Sequence, residues 1–277
     1  MYNKIALALA FSPTSLGLLH QACSLKSRLG SRLLLIHIGP DNTEQRSIME
    51  DSIRKANLLP DDYTMIWDTG SPVARIIKIC NDENVDLLIA GALKKENLFR
   101  YYIGSIGRQL IRRAPCSMLI LTQPPEKPLD YNNIVIDGTL GTSSRQTVAN
   151  GINFACTQEA TQVHIFRYSQ GFGLNTMLSG EETGEAYAQI KRDIVAREIE
   201  EIQKIVDQCN TGDVKINIKI AAGKAAFELH KFASRTEADL LFVQGPKHRL
   251  RFIHRLFPHY IEQIANDLPC PLLLDKS

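Results

Sequence analysis

The chain has 277 residues, of which 44% are hydrophobic and 22% charged, with a formal net charge of +2. That composition belongs to a folded globular protein rather than a disordered one, and the small net charge excludes whole-surface attraction to nucleic acid or membrane. The length leaves one large domain or two ordinary ones open.

The apolar stretch Ile5 to Phe11 is too short to cross a membrane and too weak for a secretory leader, so it reads as a first strand. Strands are expected at Lys4–Ala10, Arg32–His37, Asp62–Trp67, Asp86–Ala90 and Ser117–Thr122, with helices filling the gaps. One helix ends at Gly30, suited to a left-handed stop, and another starts at Ser71–Pro72, a cap followed by a first-turn proline. The prolines of "TQPPEKPLDYN" stop the fifth strand and stiffen a linker over residues 124–132. Beyond it strands are expected at Asn133–Asp137, Thr161–Arg167, Lys215–Ala221, Leu240–Gln244 and Pro271–Leu274, with a long helix from about Glu181 to Cys209. Continuous apolar strands alternating with helices imply parallel sheets covered on both faces.

The two halves align. "GALKKENLFRYYIGSIGRQLIRRAPC" (Gly91–Cys116) and "GPKHRLRFIHRLFPHYIEQIANDLPC" (Gly245–Cys270) have equal length, start with glycine and end in Pro-Cys. Each follows an aspartate and an apolar strand, "VDLLIAG" and "ADLLFVQG", and each precedes another apolar strand. The chain therefore reads as two domains, 1–123 and 133–277. The six cysteines, Cys23, Cys80, Cys116, Cys156, Cys209 and Cys270, have no CxxC pair or ligand spacing and read as free thiols of a reducing compartment. A cytoplasmic location is expected.

With this order of elements the chain resembles a tandem universal stress protein. Nucleotide-binding members of that family carry an aspartate at the end of strand one and the pattern Gly-x2-Gly-x9-Gly-Ser/Thr after strand four. The first repeat has Gly91, Lys94, Gly104 and Ser105 at those positions, so that lysine replaces the second glycine. The second has Gly245, His248, Pro258 and His259, and keeps only the first glycine. The aspartate is distributed the other way: Asp137, Gly138 and Thr139 form an Asp-Gly-Thr corner in the second repeat, whereas Ala10 stands there in the first, followed by Ser12. The resemblance implies two Rossmann-like α/β domains, each with five parallel strands in the order 3-2-1-4-5, packed as an internal pseudo-dimer through their last strands. That order places strand one and the Gly91 loop at one crevice, where the strand order reverses.

Glycine there admits backbone close to a phosphate, and Gly104–Ser105 would offer N–H groups and a hydroxyl at a helix start. The same glycines also fit an ordinary strand-to-helix connection. Lys94 could add a positive charge or block the path that a glycine leaves open. Asp137 could contact a nucleoside, as the resemblance implies, or cap its own turn. The basic stretch with Lys247, Arg249, Arg251 and Arg255 fits an acidic partner or a solvated face, and His248, His254 and His259 lack the spacing of a zinc site. His37 and His164 end the second strand of each repeat without a triad partner.

No hydrolase, metalloprotease or Walker motif is present. The expected function is binding or interaction in a stress response, with at most one degraded nucleotide site, for ATP with magnesium, in the first domain. Two alternatives stay open: a weak ATPase or nucleotide-transferring enzyme, and a carrier of small apolar ligands through the second domain. Partners are a protein or small ligand, with neither nucleic acid nor membrane expected, and a further homodimer is allowed.

Overall fold

The structure, a computed structural model, describes residues 1–94, 101–122, 127–139, 144–169, 184–222, 224–246 and 259–276. Contacts gather the chain into two units, Met1–Asp130 with Gly245–Ser277, and Tyr131–Gln244.

The first unit begins with β1 (Lys4–Leu9), α1 (Ser15–Leu29), β2 (Arg32–Ile38), α2 (Thr43–Lys55), β3 (Tyr63–Asp68), α3 (Pro72–Asp82) and β4 (Leu87–Gly91). Two short strands follow, β5 (Leu93–Lys94) and β6 (Tyr101–Tyr102), then α4 (Ser105–Arg113) and β7 (Ser117–Leu121). The second unit holds β8 (Asn133–Asp137), α5 (Ser144–Thr157), β9 (Gln162–Tyr168), α6 (Gly184–Val206), β10 (Lys215–Ala221), α7 (Ala225–Arg235) and β11 (Leu240–Gln244). Then α8 (His259–Asn266) and β12 (Leu272–Asp275) fall in the first unit. The described part of the long helix is thus shorter than Glu181 to Cys209; residues 170–183 lie outside the described residues.

Hydrogen bonding orders the first unit β3-β2-β1-β4-β7, all parallel, which is the order the family resemblance implies. The second unit runs β10-β9-β8-β11, also parallel, the same order for its four strands. The expected pairing of the two terminal strands is present: β12 lies antiparallel to β7, with Leu273 opposite Leu119. This pairing explains why the tail, which the repeat assigns to the second half, belongs by its contacts to the first unit. Helix α8 is tied there as well. Arg108 on α4 donates Nε to the Ile103 carbonyl at 2.7 Å and Nη2 to Asn266 Oδ1 at 2.7 Å, and pairs through Nη1 with Glu262.

Apolar strands produce this architecture because they bury side chains on both faces. All five residues of β7 are buried, as are Leu87, Leu88 and Ile89 of β4. Each such aliphatic side chain contributes about 1.5–3 kcal/mol on leaving water. Strand β10, at the edge, instead exposes Lys215 and Lys219, charges that discourage further pairing. Helix α1 stops at Gly30, whose φ of 63° is left-handed and whose N–H reaches the Lys26 and Ser27 carbonyls. Helix α3 begins with Pro72 in its first turn, as expected, although the Ser71 side chain makes no cap hydrogen bond.

The aspartates before the fourth strands explain themselves in this frame. Asp86 Oδ2 accepts from the N–H groups of Asn3 at 2.7 Å and Lys4 at 2.9 Å, and the Asp86 N–H donates to the Lys4 carbonyl at 2.9 Å. In the second unit Asp239 Oδ2 accepts from the Asn133 N–H at 2.8 Å, and its own N–H donates to the Asn133 carbonyl at 2.8 Å. Each aspartate fastens strand four to strand one at the start of the parallel pair. Replacing Asp86 by alanine orphans two strand-end donors and is expected to cost about 2–3 kcal/mol in urea unfolding, with Asp86→Asn intermediate because its amide oxygen still accepts. Equal stabilities for Asp86→Ala and wild type would remove this pin from the account.

Candidate functional site

The first unit contains a crevice of about 380 Å³ at the carboxyl ends of β1 and β4, where the strand order reverses. Ser12, Gly91, Gly104 and Ser105 line it, so the structure gathers these four expected site residues around one space. Lys94 is not among the lining residues; it is exposed in the small hairpin where β5 pairs antiparallel with β6. Asp137, Gly138 and Thr139 belong to the second unit. His248 and Pro258 of the second glycine pattern, and the basic stretch from Lys247 to Arg255, lie outside the described residues.

One wall comes from α1 and the turn before it. Ser15 Oγ lies 2.6 Å from the Ala10 carbonyl and 2.8 Å from the Ser12 carbonyl, and accepts from the Ser12 N–H at 3.0 Å. Ser12 Oγ is 3.1 Å from Thr14 Oγ1. These bonds close the turn that leads from Ala10 into the helix and present the hydroxyls of Ser12 and Thr14 to the crevice. The opposite wall is the start of α4, where Gly104 is the N-cap residue and Ser105 the first helical residue. First-turn N–H groups have no partner within a helix and attract anions.

Apolar side chains make up most of the remaining surface, among them Leu18, Ile36, Ile38, Ile76, Leu93 and Ile103. Among the described residues that line it there is no aspartate, glutamate, lysine, arginine, histidine, cysteine or tyrosine. The glycines of the loop are used by these side chains. A Cβ on Gly104 would meet Leu93 Cδ1 at 2.6 Å, and one on Gly91 would meet Leu18 Cδ1 at 3.3 Å. The room that glycine leaves beside the α4 terminus is therefore filled by Leu93, itself 51% exposed. Sequence reading missed Leu93, since a single leucine between Ala92 and Lys94 carries no periodic signal.

A ring cluster stands at the ends of β1, β2 and β3. His37 is 4% exposed, donates its Nδ1–H to the Leu9 carbonyl at 3.0 Å, and packs between Phe11 and Trp67 with ring centroids 4.7 and 4.3 Å away. Its Nε2 would lie 2.6 Å from a Cβ on Gly39. His37 thus has a structural place, as its lack of a triad partner suggests.

In the second unit Asp137 is buried and its Oδ1 accepts from the Thr139 N–H at 2.9 Å, closing a turn over Gly138. Thr139 Oγ1 accepts from the Tyr168 N–H at 3.0 Å, and Gly138 N–H donates to the Phe166 carbonyl at 2.8 Å. The corner ties the end of β8 to β9, which is the turn-capping alternative for Asp137. Among the described residues no group of three or more His, Cys, Asp or Glu could hold a metal ion, and no helix is long and apolar enough to cross a membrane.

The architecture and this crevice can be set beside known proteins. Residues 1–122 match the Universal stress protein family. The match covers the first unit's N-terminal part, less than half of the chain. Two solved structures carry the similarity over the whole length: a universal stress protein from Archaeoglobus fulgidus DSM 4304, 14% identical with a TM-score of 0.65 over 99% of this chain and 98% of that one, and a functionally unknown protein from Pseudomonas aeruginosa PAO1, 16% identical with a TM-score of 0.69 over 99% and 92%. At these identities the likeness is one of fold. No curated protein sequence matches the chain.

The family pattern also supplies a test of fit for a nucleotide with magnesium. Gly104 and Ser105 stand at the positions of its phosphate end, at the start of α4, but Leu93 packs on Gly104 there. Its nucleoside end is unmatched, because Ala10 offers no carboxylate, and none among the described residues lines the crevice to hold a cation directly.

Two glycines with the same 2.6 Å contact should respond differently to alanine. Leu93 at Gly104 is a half-exposed side chain that can rotate away, so Gly104→Ala is expected to stay within about 1 kcal/mol of wild type. His37 at Gly39 is buried between rings, so Gly39→Ala is expected to cost about 2 kcal/mol or more. Chemical denaturation of both variants measures the contrast, and equal losses would refute it.

Proposed function

We propose that the chain is a tandem universal stress protein that acts by binding rather than by catalysis, with its ligand crevice in the first domain. The observation that carries this reading is the lining of the crevice: hydroxyls and helix N–H groups at one end, apolar side chains elsewhere, and no acid, base or thiol among the described lining residues. General acid–base and nucleophilic catalysis both need such a group within reach of the substrate. Binding needs only shape and donors.

ATP with magnesium is the nucleotide that the family pattern brings forward, and the site is a reduced one for it. Two side chains account for the reduction. Ala10 removes the carboxylate that would recognise the nucleoside, and Leu93 takes the space beside Gly104 that a phosphate would need. Lys94 stands in the adjoining hairpin, exposed to solvent, where its charge raises the local concentration of anions without entering the crevice. A cytoplasmic location agrees with six free cysteines, though it rests on composition.

The apolar lining supports a second reading, a small apolar ligand held in the same crevice. Competition separates the two: a hydrophobic dye bound there is displaced by ATP if both share the site.

Calorimetric titration with ATP and magnesium tests the first reading. The wild type is expected to bind weakly and without turnover, and Ser105→Ala to bind less well. The double variant Ala10→Asp with Leu93→Ala is expected to bind at least about tenfold more tightly, since a hydrogen bond to a charged group contributes about 1.5–3 kcal/mol and 1.4 kcal/mol is tenfold. No binding by either protein would sink the nucleotide reading, and steady release of ADP by the wild type would replace binding with catalysis.

A further inference from the structure

The floor of the crevice has a pattern of its own, set by strand register. Ile36 on β2 stands opposite Ala8 on β1, and Ala90 on β4 stands opposite Ile120 on β7. Because Leu7 pairs with Ile89, the next step sets Ala8 beside Ala90. All four residues line the crevice. Residues level with one another on neighbouring strands point to the same face, so the row reads large, small, small, large. Both isoleucines are 1% exposed, whereas the two alanines are only half-buried although β1 and β4 are the inner strands of the first unit. Neighbouring strands lie about 4.8 Å apart, close to the contact distance of packed hydrocarbon groups. The alanine pair is therefore a trough with an isoleucine on either side. Leu18 of α1, Ile76 of α3 and Leu110 of α4, all buried, complete its walls.

Depth and polarity change together along this lining. The deep residues are aliphatic, and the hydroxyls of Ser12, Thr14 and Ser105 belong to exposed residues at the mouth. The start of α4 adds N–H groups there that have no partner within the helix. Leu93 and Ile106 also line the mouth, 51% and 48% exposed, and present apolar surface that an entering chain would shield from water.

We propose that the crevice takes a medium-chain fatty-acid anion, with its tail along the trough over Ala8 and Ala90 and its carboxylate at the mouth, where the hydroxyls of Ser12, Thr14 and Ser105 and the first N–H groups of α4 donate to it. This assignment rests on the apolar-ligand reading and names its class: one straight tail and one acceptor head. The volume of about 380 Å³ lies at the small end of ligand cavities and suits a single chain. A single charge stays at the wet mouth, where no charged partner is needed. A nucleotide would lay polar ring and ribose groups over Ile36, Ala8, Ala90 and Ile120, whose side chains offer them no hydrogen bond.

Calorimetric titration of the full chain at neutral pH with butanoate, hexanoate and octanoate tests the assignment and requires no variant to fold. Each added methylene is expected to tighten binding about fourfold, so octanoate binds at least about tenfold more tightly than hexanoate. Octylamine, of equal chain length and opposite charge, is expected to bind at least about fivefold more weakly than octanoate. Ala90→Leu places a side chain in the trough and is expected to weaken octanoate about tenfold or more. Equal affinities along the series, or octylamine binding as tightly as octanoate, with a hydrophobic dye still bound at the crevice, would overturn the fatty-acid assignment and leave the apolar reading standing. Failure of the dye to bind as well would overturn both. An unchanged octanoate affinity in Ala90→Leu would overturn the placement of the tail.

Discussion

Two backbone N–H groups held by one carboxylate set the frame of the first unit. Asp86 clamps the amides of Asn3 and Lys4, so β4 starts beside β1 although more than eighty residues of chain separate them. Once β4 is there, β2 and β3 occupy the other side of β1, and the strand order reverses between β1 and β4. The crevice lies at that reversal because connections leave the strand ends in opposite directions and cannot cover it. Asp239 makes the corresponding contact to Asn133 in the second unit, so the same device acts twice. A carboxyl side chain suits the place because one of its oxygens accepts from two N–H groups at once in the first unit.

The crevice so placed has no charged side chain among its described lining residues. Backbone geometry supplies the helix N-terminus at Gly104 and Ser105 whatever the ligand, since it follows from the β4-to-α4 connection. Side chains decide what that terminus can meet. Leu93 packs on Gly104 and Leu18 on Gly91, so glycines that could admit phosphate instead admit leucine methyls. A small residue near a helix start is therefore an opportunity for close approach, and the neighbour that takes it sets the chemistry. In the second unit the carboxylate of Asp137 is spent on its own turn, with Thr139 and Gly138 bonded onward to β9.

Most of the architecture was readable from the amino-acid sequence because burial on both faces leaves continuous apolar runs in the central strands, and each of the ten expected strands is present. Boundaries moved by a residue where a strand end is fixed by pairing rather than by composition, as at Leu9 and Ile38. The hairpin of β5 and β6 was not readable: two-residue strands have no period, and its partners Leu93 and Tyr102 are separated by a stretch whose spacing suggested only a loop. The place of β12 was readable only as an inference about edges, since two apolar terminal strands each need a partner. Of the candidate site, Gly91, Gly104 and Ser105 followed from the family pattern, and Ser12 from its place just after the first strand. The role of Leu93 did not, because close contact between a side chain and a distant glycine leaves no local pattern.

The antiparallel pairing of β7 with β12 has a chemical consequence beyond covering an edge. It brings Lys276 to Ser117 at the start of β7, and no pairing within the first repeat alone could do so. The lysine is drawn in by the carbonyls of Ile111 and Ala114, which end a helix and would otherwise lack donors. Satisfying those carbonyls requires burying an amine, and burial disfavours its charged form, lowering Lys276 to about 8. The last strand is thus fastened by a side chain whose charge its own surroundings oppose, and the two carbonyls it satisfies are what keep it there.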